Sequence, residues 1–157
     1  MTGRAEVERQ RQRLDATFKR ASSIGGDAEL LSDFARYLCV LVSGFLEQAV
    51  IEVALEHVRT HSDASVHKHV EQHLRRFTTA NPQRIIDLLG GFDSTWRTDL
   101  EKYLVDEYKD AVSSVVDLRQ SISHGRSVGV TMARIQEYYA RVKQVVEHIA
   151  NLCIPTH

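Results

Sequence analysis

The sequence predicts an all-α protein, and three observations predict it. Only two prolines occur among 157 residues, Pro82 and Pro155. Apolar residues recur at spacings of three and four, while strand-like alternation is scarce. Asp, Asn and Thr stand where helices should begin, and glycine or proline where they should stop. A chain of this length has room for one domain with a proper core and too little for two. The expected organisation is a single domain over 1–157. An N-terminal amphipathic helix falls in 1–22, and an antiparallel core bundle with short accessory helices in 27–154.

Each element has its own local reason. From Glu6 to Arg20, Val7, Leu14 and Phe18 form one stripe, and "ASSIGGDAE" breaks the helix. Asp27 accepts from free first-turn amides and so caps a long second helix reaching about Arg59. Its middle, "YLCVLVSGFLEQAVIEVAL", is apolar nearly all round, as in a central helix or one packed on two sides. "HSDASVHKHVEQHLRRF" reads as a polar helix. Asn81-Pro82 starts the next, since proline is tolerated at the first helical position, and Gly90-Gly91 ends it. Asp93 or Ser94 caps a helix carrying Trp96, Leu100, Tyr103 and Leu104. The apolar period continues through Tyr108, Val112, Val115, Val116 and Leu118 to His124, with a bend expected near Asp106. Gly125 supplies the left-handed residue that closes a helix. Thr131 caps the last one, whose stripe is Ile135, Tyr138, Val142, Val145, Ile149 and Leu152. Pro155 stops it.

Composition narrows the function classes. The chain is 43% hydrophobic and 26% charged, with a formal net charge of -1. A protein that coats duplex nucleic acid by bulk charge is basic, so any nucleic-acid contact here must be a local patch. The sequence is read as having no apolar run of membrane-spanning length and no signal peptide, so a cytoplasmic protein with no membrane partner is expected. Cys39 and Cys153 are far apart in apolar patterns and read as buried free thiols.

The stretch "LRQSISHGRSVG" places Arg119 five positions before His124, with glycine next. Arginine is permanently cationic and its planar fork suits phosphate oxygens. Histidine gives or takes a proton near neutrality. Together they suit a phosphodiester reaction, in which histidine moves a proton and arginine neutralises charge on phosphorus oxygens. RNA supplies its own 2′-hydroxyl nucleophile, so no metal is required. On a continuous helix, however, five residues turn through roughly 500°, leaving the two side chains about 140° apart. Either the helix loosens at its end, or two copies each contribute to one cleft, as a two-fold interface allows. The alternative is a charged helix end, since Arg and His near a C-terminus complement the helix dipole.

These residues resemble a HEPN domain (higher eukaryotes and prokaryotes nucleotide-binding). Arg119 to His124 fits that superfamily's R-x4–6-H motif, and "SHG" resembles its common "AHG" ending. "SGFLEQAV" in the second helix and "VTMARIQEYYARVKQVVEHI" in the last are similar to the RiboL-PSP-HEPN branch, so the pattern spans roughly residues 30 to 152. The resemblance implies an all-α bundle, a homodimer and a metal-independent ribonuclease without a cofactor. Cleavage would proceed by 2′-hydroxyl attack, leaving a cyclic phosphate and a 5′-hydroxyl. Arg119 and His124 carry over as the catalytic pair, supported by Gln120, Ser123 and Glu47. Gln120 departs from the superfamily, where Asn, Asp or His often follows the arginine; glutamine still donates and accepts. The resemblance further implies a stress or defence effector of toxin type, with RNA as substrate and an antitoxin or other regulatory protein as partner. A HEPN module that has lost activity, and that dimerises or docks RNA or protein, is the alternative.

Other residues carry weaker signals. Glu47 lies in an apolar stretch, and a buried carboxylate is costly unless paired. It either orients Arg119 or His124, or bridges another cation. Arg126, beside His124, is a candidate RNA phosphate contact. His57 with His61, and His69 with His73, have zinc-compatible spacing, but their polar neighbours favour a solvated face, and no metal site is expected. Residues 4 to 20 hold six basic side chains against three acidic, which either guide RNA or solvate a helix. Of Tyr138 and Tyr139, one should be core.

Overall fold

A computed structural model describes residues 3–155. Among these, seven helices and no strand occur: α1 (Gly3–Ala21), α2 (Ala28–His61), α3 (Ala64–Leu74), α4 (Pro82–Gly90), α5 (Ser94–Tyr103), α6 (Asp106–Ser123) and α7 (Met132–Cys153). The protein is an all-α bundle.

The long α2 is its axis. At 1.5 Å per residue its 34 residues run about 50 Å. α1, α6 and α7 pack along it, α3 folds back beside it, and α4 and α5 pair as a hairpin whose α4 touches α6. Leu38, Val42, Leu46, Val50 and Val53 of α2 are fully buried among Ile135, Val142 and Ile149 of α7 and Val112 and Val115 of α6. α1 adds Val7, Leu14 and Phe18 to the same core. Tyr139, not Tyr138, is the buried tyrosine. It stacks on Phe18 at 4.4 Å and donates its hydroxyl hydrogen to Asp15 at 2.6 Å.

One expectation about α2 needs correcting. By length and composition it is apolar enough to cross a membrane, with a window of mean hydropathy 1.9. Some 72% of that window is buried inside the structure, as in the core helix of a bundle.

Capping follows local chemistry. Asp27 accepts from the Glu29 amide at 3.0 Å, Asn81 from Arg84 at 2.9 Å, Asp93 from Thr95 at 2.7 Å and Thr131 from Arg134 at 3.1 Å. Each satisfies a first-turn amide that the helix itself leaves free. The other correction lies between Trp96 and His124. In place of one bent helix, the chain breaks at Leu104–Val105. Leu104 sits at φ -82 and ψ 64, and the Val105 amide bonds the Tyr103 carbonyl at 2.9 Å, an inverse γ-turn. Asp106 then restarts the chain at φ 52. The turn leaves Leu104 buried and stacks Tyr103 on Tyr108 at 4.6 Å and on His148 at 3.7 Å.

The first and last helices are tied together. The Arg4 guanidinium donates to the carbonyls of Ala150 at 3.2 Å and Ile154 at 2.9 Å, and to the Asn151 side chain at 3.0 Å. It adds a second donor to the Ala150 carbonyl, which the Ile154 amide already reaches at 2.9 Å, and it supplies one to Ile154 just past the last turn of α7. Cys39 and Cys153 are buried and unpaired. Burial pushes their thiols up to about 11 and about 12 respectively.

Candidate functional site at the end of α6

α6 ends in a Schellman turn. The Gly125 amide bonds the Ile122 carbonyl at 3.0 Å and the Arg126 amide bonds the Ser121 carbonyl at 2.9 Å. Gly125 takes φ +72, a left-handed value that glycine adopts without the Cβ penalty. His124 is the capping residue, at φ -88 and ψ 9. Its amide still reaches the Gln120 carbonyl at 3.0 Å, so the helix does not loosen before it. The angular separation between Arg119 and His124 therefore persists within one chain. Among the described residues, no hydrogen bond or ion pair joins them.

Arg119 turns toward the bundle. Its guanidinium pairs with the carboxylate of Glu47, which is 6% exposed and sits midway along α2. The same Glu47 oxygen, Oε2, accepts the amide hydrogen of Thr79 at 3.3 Å. Thr79 belongs to the turn between α3 and α4 and holds φ 57, an unusual strain for a β-branched residue. Its hydroxyl oxygen accepts from the Gln120 side chain at 3.4 Å. Three elements thus converge on Arg119: α2 through Glu47, α6 through Gln120, and the α3–α4 turn through Thr79. Sequence reasoning missed Thr79, because positive φ at threonine arises from how the turn is held and leaves no residue-type signal.

Around this cluster lies a cleft of about 560 Å³ between α1 and α2, lined in part by Arg13, Tyr37, Glu47, Gln48 and Arg119. Tyr37 is half exposed. His124, Ser123 and Arg126 sit outside it, exposed on the far end of α6, with no side-chain hydrogen bond among the described residues. The structure joins Arg119, Glu47 and Gln120, and it leaves His124, Ser123 and Arg126 facing solvent beside them in sequence.

The remaining candidates have other surroundings. His57 and His61 stack at 4.2 Å, and His57 meets the rings of Trp96 at 4.7 Å and Phe92 at 5.6 Å edge-on. No group of three or more His, Cys, Asp or Glu side chains that could hold a metal comes together among the described residues. On α1, Arg9 pairs with Glu6, and Arg11 with Glu8 and Asp15. Much of that helix's charge is therefore matched locally, although Arg13 lines the cleft.

An all-α bundle about one long apolar helix, with a buried carboxylate holding the arginine of an Arg-x4-His helix end, defines the class of protein. The chain belongs to the RiboL-PSP-HEPN family, whose model matches residues 6–154. The match takes in α1, which the motif-level resemblance left out. Membership is consistent with a nuclease-type or RNA-related role. No curated protein and no solved structure matches the chain.

Proposed function

We propose that the protein is a metal-independent endoribonuclease working as a two-fold pair. The observation that carries this reading is the held guanidinium: Glu47 fixes Arg119 at a cleft edge, while His124 stands exposed at the same helix end. Because the helix stays regular to its end, a second copy is needed to bring an imidazole to the phosphate beside Arg119. An isologous interface provides two of each.

In that cleft one His124 takes the proton from the ribose 2′-hydroxyl as its oxygen attacks phosphorus. The bond from phosphorus to the 5′-oxygen breaks, and the partner's His124 gives that oxygen a proton. The products are a 2′,3′-cyclic phosphate and a 5′-hydroxyl. Arg119 neutralises charge on the non-bridging oxygens, Glu47 and Gln120 position it, and Ser123 and Arg126 contact the strand. The chemistry needs no metal or cofactor. The reading extends to a cytoplasmic stress or defence effector restrained by an antitoxin-like partner. The two buried free thiols fit a reducing compartment.

A silent docking module is the second reading. It is favoured by the separation of His124 from Arg119 within the chain: the His124 side chain makes no hydrogen bond among the described residues. Incubation with mixed RNA in EDTA separates the two. The expected result is cleavage that His124→Ala abolishes. That substitution removes an exposed side chain without partners, so a folding defect cannot imitate the loss. Arg119→Lys keeps the charge without the fork and should lower the rate at least tenfold. Equal background in wild type and both variants would leave only the docking module.

A further inference from the structure

Residues 64 to 84 carry four Lys and Arg against one Glu, on a chain whose net charge is -1. The rest of the molecule is therefore acidic, and positive charge gathers at α3 and the turn into α4. His67, His69 and His73 lie in the same stretch. Arg75 is committed to Glu71 at 2.5 Å. Lys68 and Arg76 are exposed and make no ion pair among the described residues.

A cleft of about 400 Å³ opens at this corner, lined by His73, Arg76, Phe77 and Arg84. The Arg84 guanidinium lies 5.6 Å from the centre of the half-buried Phe77 ring. Asp87 also lines the cleft; its Oδ1 accepts from Gln83 at 2.9 Å and from Arg97 at 3.1 Å, and the Arg97 pair offsets its charge. Two residues beyond Phe77 comes Thr79, which bonds both Glu47 and Gln120 at the Arg119 site. Two residues of chain reach about 7 Å at most, so cleft and site are neighbours.

Arg76 and Arg84 have no carboxylate partner among the described residues, and guanidinium groups in that state suit phosphates. An aromatic ring beside them distinguishes a polynucleotide from a plain polyanion, because every base presents a π-face. We infer that the cleft between α3 and α4 holds one nucleotide of single-stranded RNA, next along the strand from the nucleotide at Arg119. Arg76 and Arg84 take its phosphate, and its base lies on Phe77. The inference rests on the ribonuclease reading for the direction of the strand toward Arg119.

A fluorescent 12-nucleotide RNA, 2′-O-methylated throughout so that it cannot be cut, tests the site by anisotropy at several salt concentrations. Wild type is compared with Arg76→Gln, Arg84→Gln and Phe77→Leu, the last keeping apolar packing while removing the ring. Each arginine variant should bind several-fold more weakly and lower the salt slope by about 0.7. Phe77→Leu should weaken binding about tenfold with the slope unchanged. Wild-type affinity and slope in all three variants would overturn the inference. So would a polyglutamate peptide that displaces the RNA at equal charge while Phe77→Leu has no effect; the corner would then be a seat for an acidic protein. Because the probe is inert, failure of the nuclease reading appears only in the cleavage assay. A protein that binds through this cleft and cuts nothing would sink that reading and keep this one.

Discussion

At the scale of single residues, the ion pair between Glu47 and Arg119 is asymmetric. The Glu47 side chain is 8% exposed and that of Arg119 34%. An arginine that loses its partner at such a site can turn to water, while a carboxylate left in the core cannot. Arg119→Ala should therefore destabilise the fold by about 3–5 kcal/mol, and Glu47→Gln, which keeps an acceptor for the Thr79 amide, by about 1–3 kcal/mol. Urea denaturation midpoints of the two variants check the order; a reversed order would mean that Glu47 finds another partner. That Glu47 needs a partner follows from its apolar neighbours in sequence. Which partner it takes does not, because Arg119 lies 72 positions away and only packing of α6 on α2 brings it near. Thr79 was beyond reach for another reason. Left-handed backbone is announced by glycine or asparagine, and threonine announces the opposite.

At the scale of elements, helix starts were legible because a cap is a local event. Asp27, Asn81 and Thr131 each bond an amide two or three residues ahead, and their short polar side chains say so. The break between α5 and α6 was legible only as a bend near Asp106, where the chain restarts at φ 52, since the apolar period runs through Leu104 without a glycine or proline. There burial of Leu104 and the ring stack of Tyr103 outweigh helical continuity. The far end of α6 behaves the other way: Gly125 marked it in advance. A Cβ at Gly125 would meet no atom within 4 Å, so any cost of substitution lies in the backbone alone. Gly125→Ala should lose about 1–2 kcal/mol. Gly125→Asn should lose less, because asparagine tolerates left-handed torsions. Thermal melts of the two variants decide whether conformation or contact sets the cost.

At the scale of the whole molecule, His57 ties the axial helix to the α4–α5 hairpin through Phe92 and Trp96. Desolvation, and then the neighbouring His61, hold its imidazole below the usual histidine value. The unfolded chain therefore takes up a proton near pH 6.5 that the folded one still refuses, and acid favours unfolding. Stability should fall as pH drops from 7.5 to 5.5, and His57→Gln should flatten that fall in melting curves. The depressed carboxylates Asp15 and Asp87 act lower, since their contribution disappears only as pH falls below about 4. The all-α class and the order of helices were legible because periodicity and caps repeat along the chain. The closing of the bundle was not, being a matter of distant contacts. Arg4 must wait for Ala150 and Ile154, 146 and 150 positions later. During synthesis α1 can lean on α2 as soon as both have left the ribosome, yet its polar latch finds nothing to grip until α7 arrives. A nascent chain halted before that point would show the apolar side of α2 that α7 normally covers, and would depend on a chaperone until translation resumed.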